Sequence, residues 1–101
     1  MIARIWHGAV PPEKEQAYLK LMLEVAIPEY EATPGNRGAW CMVHNEDSLA
    51  HFQMLTFWDS VEAVKLFAGE DYLAAKYYDF DTEYLVEMEP RVRQYELYGA
   101  V

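Results

Sequence analysis

Ala50-His51-Phe52-Gln53-Met54-Leu55-Thr56-Phe57-Trp58 reads as a strand, and Asp59-Ser60-Val61-Glu62 directly after it reads as the start of a helix. Alternation puts Phe52, Met54 and Trp58 on one face of that strand and His51, Gln53, Leu55 and Phe57 on the other. Asp59 or Ser60 can cap the exposed amides of the first turn, with an acid following, as in a capping box. Ala63, Val64, Leu66 and Phe67 are the core-facing residues expected of this helix. Upstream, Asn45 to Ser48 makes a short hairpin connection to a strand over Arg37–His44, and Thr33-Pro34-Gly35-Asn36 is a turn by composition.

Further out, Ile2 to Val10 is rich in β-branched and aromatic residues and stops at Pro11-Pro12, so it reads as the first strand. Proline followed by acids opens a long helix. Tyr18, Leu21, Met22 and Val25 form its apolar stripe, and Pro28 is expected to kink or break it near residue 27. Gly69 ends the second helix before a short helical stretch over Tyr72–Tyr78, and Arg91 to Tyr98 reads as the last strand. The order β-α-β-β-α-β predicts an α+β, ferredoxin-like antiparallel sheet with both helices on one face. Apolar content on both faces of the first and third strands implies that the second face is also covered. With no spare element in the chain, a homodimeric barrel of two face-to-face sheets is expected, its contact self-complementary about a twofold axis.

The 101 residues are expected to form a single domain spanning 1–101. By surface scaling, about 65% of the unfolded surface can be buried, a thin but real core. A net charge of −9 argues against nucleic acid or an anionic membrane as partner. The lone Cys41 asks for no oxidising compartment, no apolar run approaches a bilayer span, and the start carries no signal-peptide pattern. A cytoplasmic location is the expectation.

Met1 to Gly8, the turn Ala32-Thr33-Pro34-Gly35-Asn36-Arg37-Gly38, and Leu55 to Ser60 with Glu62-Ala63 resemble the antibiotic biosynthesis monooxygenase family. So do Phe67-Ala68-Gly69-Glu70-Asp71 and Ala75-Lys76-Tyr77-Tyr78, and the resemblance runs from residue 1 to about residue 98. It implies a dimeric α+β barrel, whose superfamily includes cofactor-free oxygenases, haem-degrading enzymes and isomerases. The haem-degrading branch uses an Asn in strand one, a Trp in the second helix and a His shortly after; those positions fall on His7, Phe67 and Tyr77. All three differ, and loss of the proximal His removes the expected iron ligand. The resemblance therefore points to a cofactor-independent monooxygenase that takes a small aromatic or polyketide-derived phenol or anthrone and dioxygen. Such an enzyme needs a dry aromatic pocket, a base and donors for the anion, and no cofactor is implied.

On this reading His7 is the general base, because imidazole changes charge near neutral pH, and its strand face is expected to look toward the helices. Tyr72 and Tyr77 are the catalytic phenols, with Phe67, Tyr78 and Trp40 binding substrate. Each also has a plainer reading: a strand-end histidine, core or rim phenols, a core phenylalanine. Trp40 and Trp6 fit either the pocket or the dimer face. Trp58 reads as a core closure. Asp81 either orients a phenol or belongs to the acidic outer face, since Asp59 to Glu89 holds nine acids against Lys65 and Lys76. Arg4 is assigned to the barrel interior with Glu96 as its partner. His44 and His51 raise a metal question, but two histidines without a third ligand read as exposed hairpin residues, so no metal is expected. Two other classes stay open: a non-catalytic small-ligand or haem-binding protein of the same shape, and a proton-transfer isomerase or lyase.

Overall fold

The computed structural model describes residues 1–99. Strand β1 (Ile2–Val10) is followed by a 3-10 turn and a long helix made of α1 (Glu15–Leu21), a π-helical turn (Met22–Ala26) and α2 (Ile27–Ala32). Next come β2 (Asn36–Glu46), β3 (Leu49–Trp58), α3 (Val61–Ala68), the short α4 (Asp81–Tyr84), β4 (Glu87–Met88) and β5 (Arg93–Glu96). The five strands form one antiparallel sheet in the order β2-β3-β1-β4, with β5 also pairing with β1. The fold is α+β. Among the described residues no helix is long and apolar enough to cross a membrane.

The long helix passes through Pro28 without breaking. Ile27 N–H bonds to Met22 O, five residues back, and this wider turn opens the ladder where proline lacks a donor and its ring needs room. The same turn corrects the expected stripe. Four residues of α-helix overshoot a full turn by about 40°, and the wider turn takes that drift back. Tyr18, Met22, Ala26 and Tyr30 therefore share one buried face, whereas Val25 is exposed. Beyond β3, the Ser60 hydroxyl accepts from Ala63 N–H and starts α3, as the capping pattern predicts.

Three expectations fail in the last third of the chain. Tyr72–Tyr78 is not helical: Ala74 bridges to Arg91, Ala75 N–H bonds to Pro90 O, and Val92 N–H bonds to Leu73 O. The backbone groups a helix would use are taken by these long-range partners. The last strand, expected over Arg91–Tyr98, covers only Arg93–Glu96, and an unexpected two-residue strand, Glu87–Met88, precedes it; Pro90 has no N–H to give the ladder, and β4 and β5 pair with β1 on either side of it. Asp81 is no outer-face acid. It is 1% exposed and accepts from the Tyr18 hydroxyl and the Tyr78 N–H, each at 2.7 Å.

The core also reverses the expected sheet faces. Ile2, Trp6 and Val10 of β1 and Phe52, Met54 and Trp58 of β3 pack against Tyr18, Met22, Tyr30 and Phe67 of the helices. Trp58 closes the core as expected. Arg4, 1% exposed, lies on this same helix-covered side, so neither it nor Trp6 nor Trp58 is available to a partner. Register sets Arg4 opposite Gln94 and Glu96 opposite Ile2, so the expected Arg4–Glu96 pair does not form. Instead the guanidinium gives Nη2–H to Ala74 O at 3.3 Å and sits 5.6 Å from the Phe67 ring centre. Burial lowers its pKa, while burial pushes the neighbouring Tyr30 phenol up to about 12 against the pull of the Arg4 charge.

Burial raises the Asp81 carboxyl pKa, and the bonds from Tyr78 and Tyr18 only partly offset it. A raised acid favours folding most below its unfolded-state pKa, and that advantage is lost as pH rises through the folded value. Tyr18→Phe removes a donor from the charged form, so it should cost about 1–3 kcal/mol at neutral pH. Urea denaturation across the acid range checks this: the penalty should shrink as Asp81 takes up its proton. A penalty independent of pH would mean the bond does not serve the carboxylate.

Candidate active site on the open sheet face

The odd-numbered residues of β1 point away from the helices. His7 is therefore on the open side of the sheet, contrary to the expectation that it faces the helices, and it shares that side with His51 and Gln53 of β3. Alternation after α4 brings four charged residues to the same side: Glu87 stands opposite Ala9, Arg93 opposite Ile5, and Glu89 and Arg91 lie between them. An open-sided cavity of about 240 Å³ is lined by Ile5, His7, Gln53, Glu89, Arg91 and Arg93.

His7 is the best-anchored polar group there. Its Nδ1 lies 2.6 Å from Glu89 Oε1, and its Nε2 lies 2.9 Å from His51 Nδ1. The carboxylate can only accept, so Nδ1 carries the proton and donates it. In neutral His7 the Nε2 lone pair then accepts from His51 Nδ1–H. The His7 and His51 rings are within 19° of parallel with centres 5.2 Å apart, so they lie edge to edge along this bond. His44, directly across the hairpin from His51, lies with its ring centre 5.1 Å away and extends the row.

Tyr77 reaches this group indirectly. Its hydroxyl donates to the Glu89 carbonyl and its ring packs edge-on against Trp6, so it fixes the backbone that carries the carboxylate. Burial raises its pKa, helped by the nearby charges of Glu89 and Asp81. Trp40 is also on the open face, with its ring centre 5.2 Å from that of Phe57, outside the cavity lining.

The other expected site residues lie elsewhere. Phe67 stacks on Tyr30 at 4.4 Å within the core. The Tyr78 hydroxyl donates to Glu29 Oε2 at 2.9 Å, and Tyr72 lies beneath the Lys65 ammonium at 5.8 Å. Burial works to raise the Glu29 pKa, but bonds from Lys76 and Tyr78 and the Lys76 charge outweigh it and hold the carboxyl low. The space between sheet and helices, edged by Trp6, Tyr30 and Tyr78, holds only about 10 Å³. The aromatic chamber expected there is filled by side chains. Cys41 is a partly buried thiol whose pKa burial pushes up to about 11, which leaves it a poor nucleophile at neutral pH.

Sequence reasoning missed Glu87, Glu89, Arg91, Arg93 and Gln53. The available signal was the alternation of Glu87, Glu89, Arg91 and Arg93, a period of two that puts all four on one face. The chain matches no protein-family model and no curated protein.

The short His7–Glu89 bond should give a downfield imidazole N–H signal in the proton NMR spectrum at low temperature, where exchange with water is slowed. Glu89→Ala should abolish that signal, and Tyr77→Phe should shift it by loosening the Glu89 backbone. Persistence of the signal in Glu89→Ala would assign it to another bond.

Proposed function

We propose that this protein is a cofactor-independent monooxygenase of the antibiotic biosynthesis monooxygenase kind. In this reading it works as a homodimeric barrel on a small phenol or anthrone-like substrate that carries a negative group. The observation that carries the reading is the His7–Glu89 pair at 2.6 Å, on a cavity that also presents Arg91 and Arg93. A carboxylate-held imidazole can take up the acidic proton of a bound ring, and two guanidinium groups favour the anion left behind. That anion supplies the electrons. For an anthrone-type CH₂ oxidised to C=O, one oxygen atom stays on the carbon and the other leaves as water with both hydrogens. The four electrons come from the carbon, so no outside reductant is required.

The barrel reading draws support from the sheet. If β4 and β5 are two halves of one edge strand interrupted at Pro90, the order becomes that of the ferredoxin-like arrangement. The occupant we assign to the open face is a second copy of this chain. Trp40, Met42 and Tyr95 are 49%, 40% and 48% exposed on that face, and they flank the His7 cavity that a facing sheet would close to water. The dimer contact is thereby moved from the Arg4 face to the His7 face. Light scattering at micromolar concentration should give twice the chain mass, and Trp40→Glu should give the monomer; a wild-type monomer would overturn the barrel.

The polar lining of the cavity favours a second reading, an isomerase that returns the proton to another carbon of a carboxylate-bearing substrate. Oxygen uptake and solvent-deuterium incorporation, followed together on an anthrone, quinol and oxo-acid panel with metal-depleted protein, separate the two. The oxygenase reading expects uptake matched by product, reduced by about 10² or more in His7→Ala. Deuterium exchange without uptake would replace it with the isomerase. Binding with neither would leave a non-catalytic ligand-binding protein.

A further inference from the structure

Three neighbouring strands bring their side chains together over one small residue. Ala9 of β1 is fully buried, with His51 of β3 opposite it on one side and Glu87 of β4 opposite it on the other. His7 stands two residues away on the same face of β1. The alanine methyl leaves the space above it free, and one ligand atom from each of His7, His51 and Glu87 lies within 4.8 Å of the others there. We propose that His7, His51 and Glu87 form a binding site for a divalent first-row transition-metal ion.

Three features support the assignment. First, Glu89 holds the Nδ1–H of His7, which leaves Nε2 as the nitrogen with a free lone pair. A carboxylate behind a ligating imidazole is the usual outer partner of a metal-bound histidine, and it fixes both tautomer and ring orientation. Second, His7 Nε2 and His51 Nδ1 are 2.9 Å apart. With metal–nitrogen bonds of about 2.0–2.1 Å, that span subtends about 90° at the ion, a bite suited to six-coordinate or tetragonal ions once the two rings pivot toward it. Third, two imidazoles and one carboxylate suit cobalt, nickel, copper, zinc or iron(II) in preference to magnesium or calcium, which take oxygen donors.

His7 and Glu87 are the partners that sequence spacing did not bring to His51, which is why His44 and His51 read as plain hairpin residues. His44 is exposed beyond His51 and lies outside the set. Ligation at His51 Nδ1 moves that ring's one proton to its Nε2, so both imidazoles bind as neutral ligands, and coordination positions not filled by the three side chains face the open side of the sheet. The site stands on geometry alone; ligation takes the Nε2 lone pair that the base role of His7 would use, so a bound ion and general-base action at His7 exclude each other.

The test uses the full chain stripped with chelator and then dialysed free of it. Titration with Zn(II) by calorimetry, and with Co(II) by visible absorption, should each give one ion per chain, while Mg(II) should give none. Glu87→Gln and His51→Ala should each weaken Co(II) and Zn(II) binding at least tenfold, with circular dichroism confirming the fold. Glu87 is exposed, so Glu87→Gln decides the matter if His51→Ala does not fold. Absence of one-to-one binding, or binding unchanged in Glu87→Gln, would overturn the site and assign any residual affinity to the scattered surface acids. No substrate enters the assay, so failure here is separate from failure of the oxygenase reading.

Discussion

The structure depends on β1 being hydrogen-bonded along both edges. Ile2 to Val10 pairs in unbroken register with β3 on one side, and Gly8–Ala9 and Ile2–Ile5 pair with β4 and β5 on the other. A strand held in this way cannot slip by one residue without exchanging its two faces. Its even positions therefore commit Ile2, Trp6 and Val10 to the helices, and its odd positions commit Ile5, His7 and Ala9 to the open side. The core and the candidate site are two consequences of one register.

Much of this was legible in the sequence. The three long strands, the tight hairpin, the Ser60 cap and the assignment of Phe52, Met54 and Trp58 to one face follow from short-range pattern, and the structure has them. Which face the helices cover is not a short-range property. Alternation sorts residues into two sets but does not say which set is covered, and the resemblance, by turning His7 toward the helices, left the set with Arg4 as the interface. The helix stripe was misread because a π turn changes the angular spacing that an α-helical template assumes. The Tyr72–Tyr78 stretch was misread because its backbone is claimed by residues 90 to 92, outside any local window. For the candidate site, His7 stood out in the sequence as an imidazole in the first strand. Its partners did not, since Glu89 lies 82 residues away and His51 44 residues away.

Charge behaves in the same divided way. The chain as a whole is strongly acidic at −9, yet the cavity beside His7 is bordered by Arg91 and Arg93. The bulk sum argued against polyanionic partners, and it says little about a small anion in a pocket of this size, because at physiological salt screening confines the attraction to within about 8 Å of the guanidinium groups. The buried charges follow a different rule. Arg4 and Asp81 are each held by neutral hydrogen-bonding partners on the helix side of the sheet, where local groups and not net charge decide their cost.

The break at Pro90 has a consequence for how the molecule assembles. β2, β3 and β1 can form a three-stranded sheet with the long helix and α3 packed on it before anything after Gly69 is placed, since their pairings need no residue from the last third of the chain. Glu87 and Glu89 arrive only when β4 docks, and Arg93 only when β5 does, on the opposite side of a proline that cannot transmit the ladder. Such long-range pairings form late and open readily when they are short. Partial unfolding of this edge would therefore dismantle the candidate site and withdraw Leu85 and Val92, while the part of the core built by β1, β3 and the helices has no residue there.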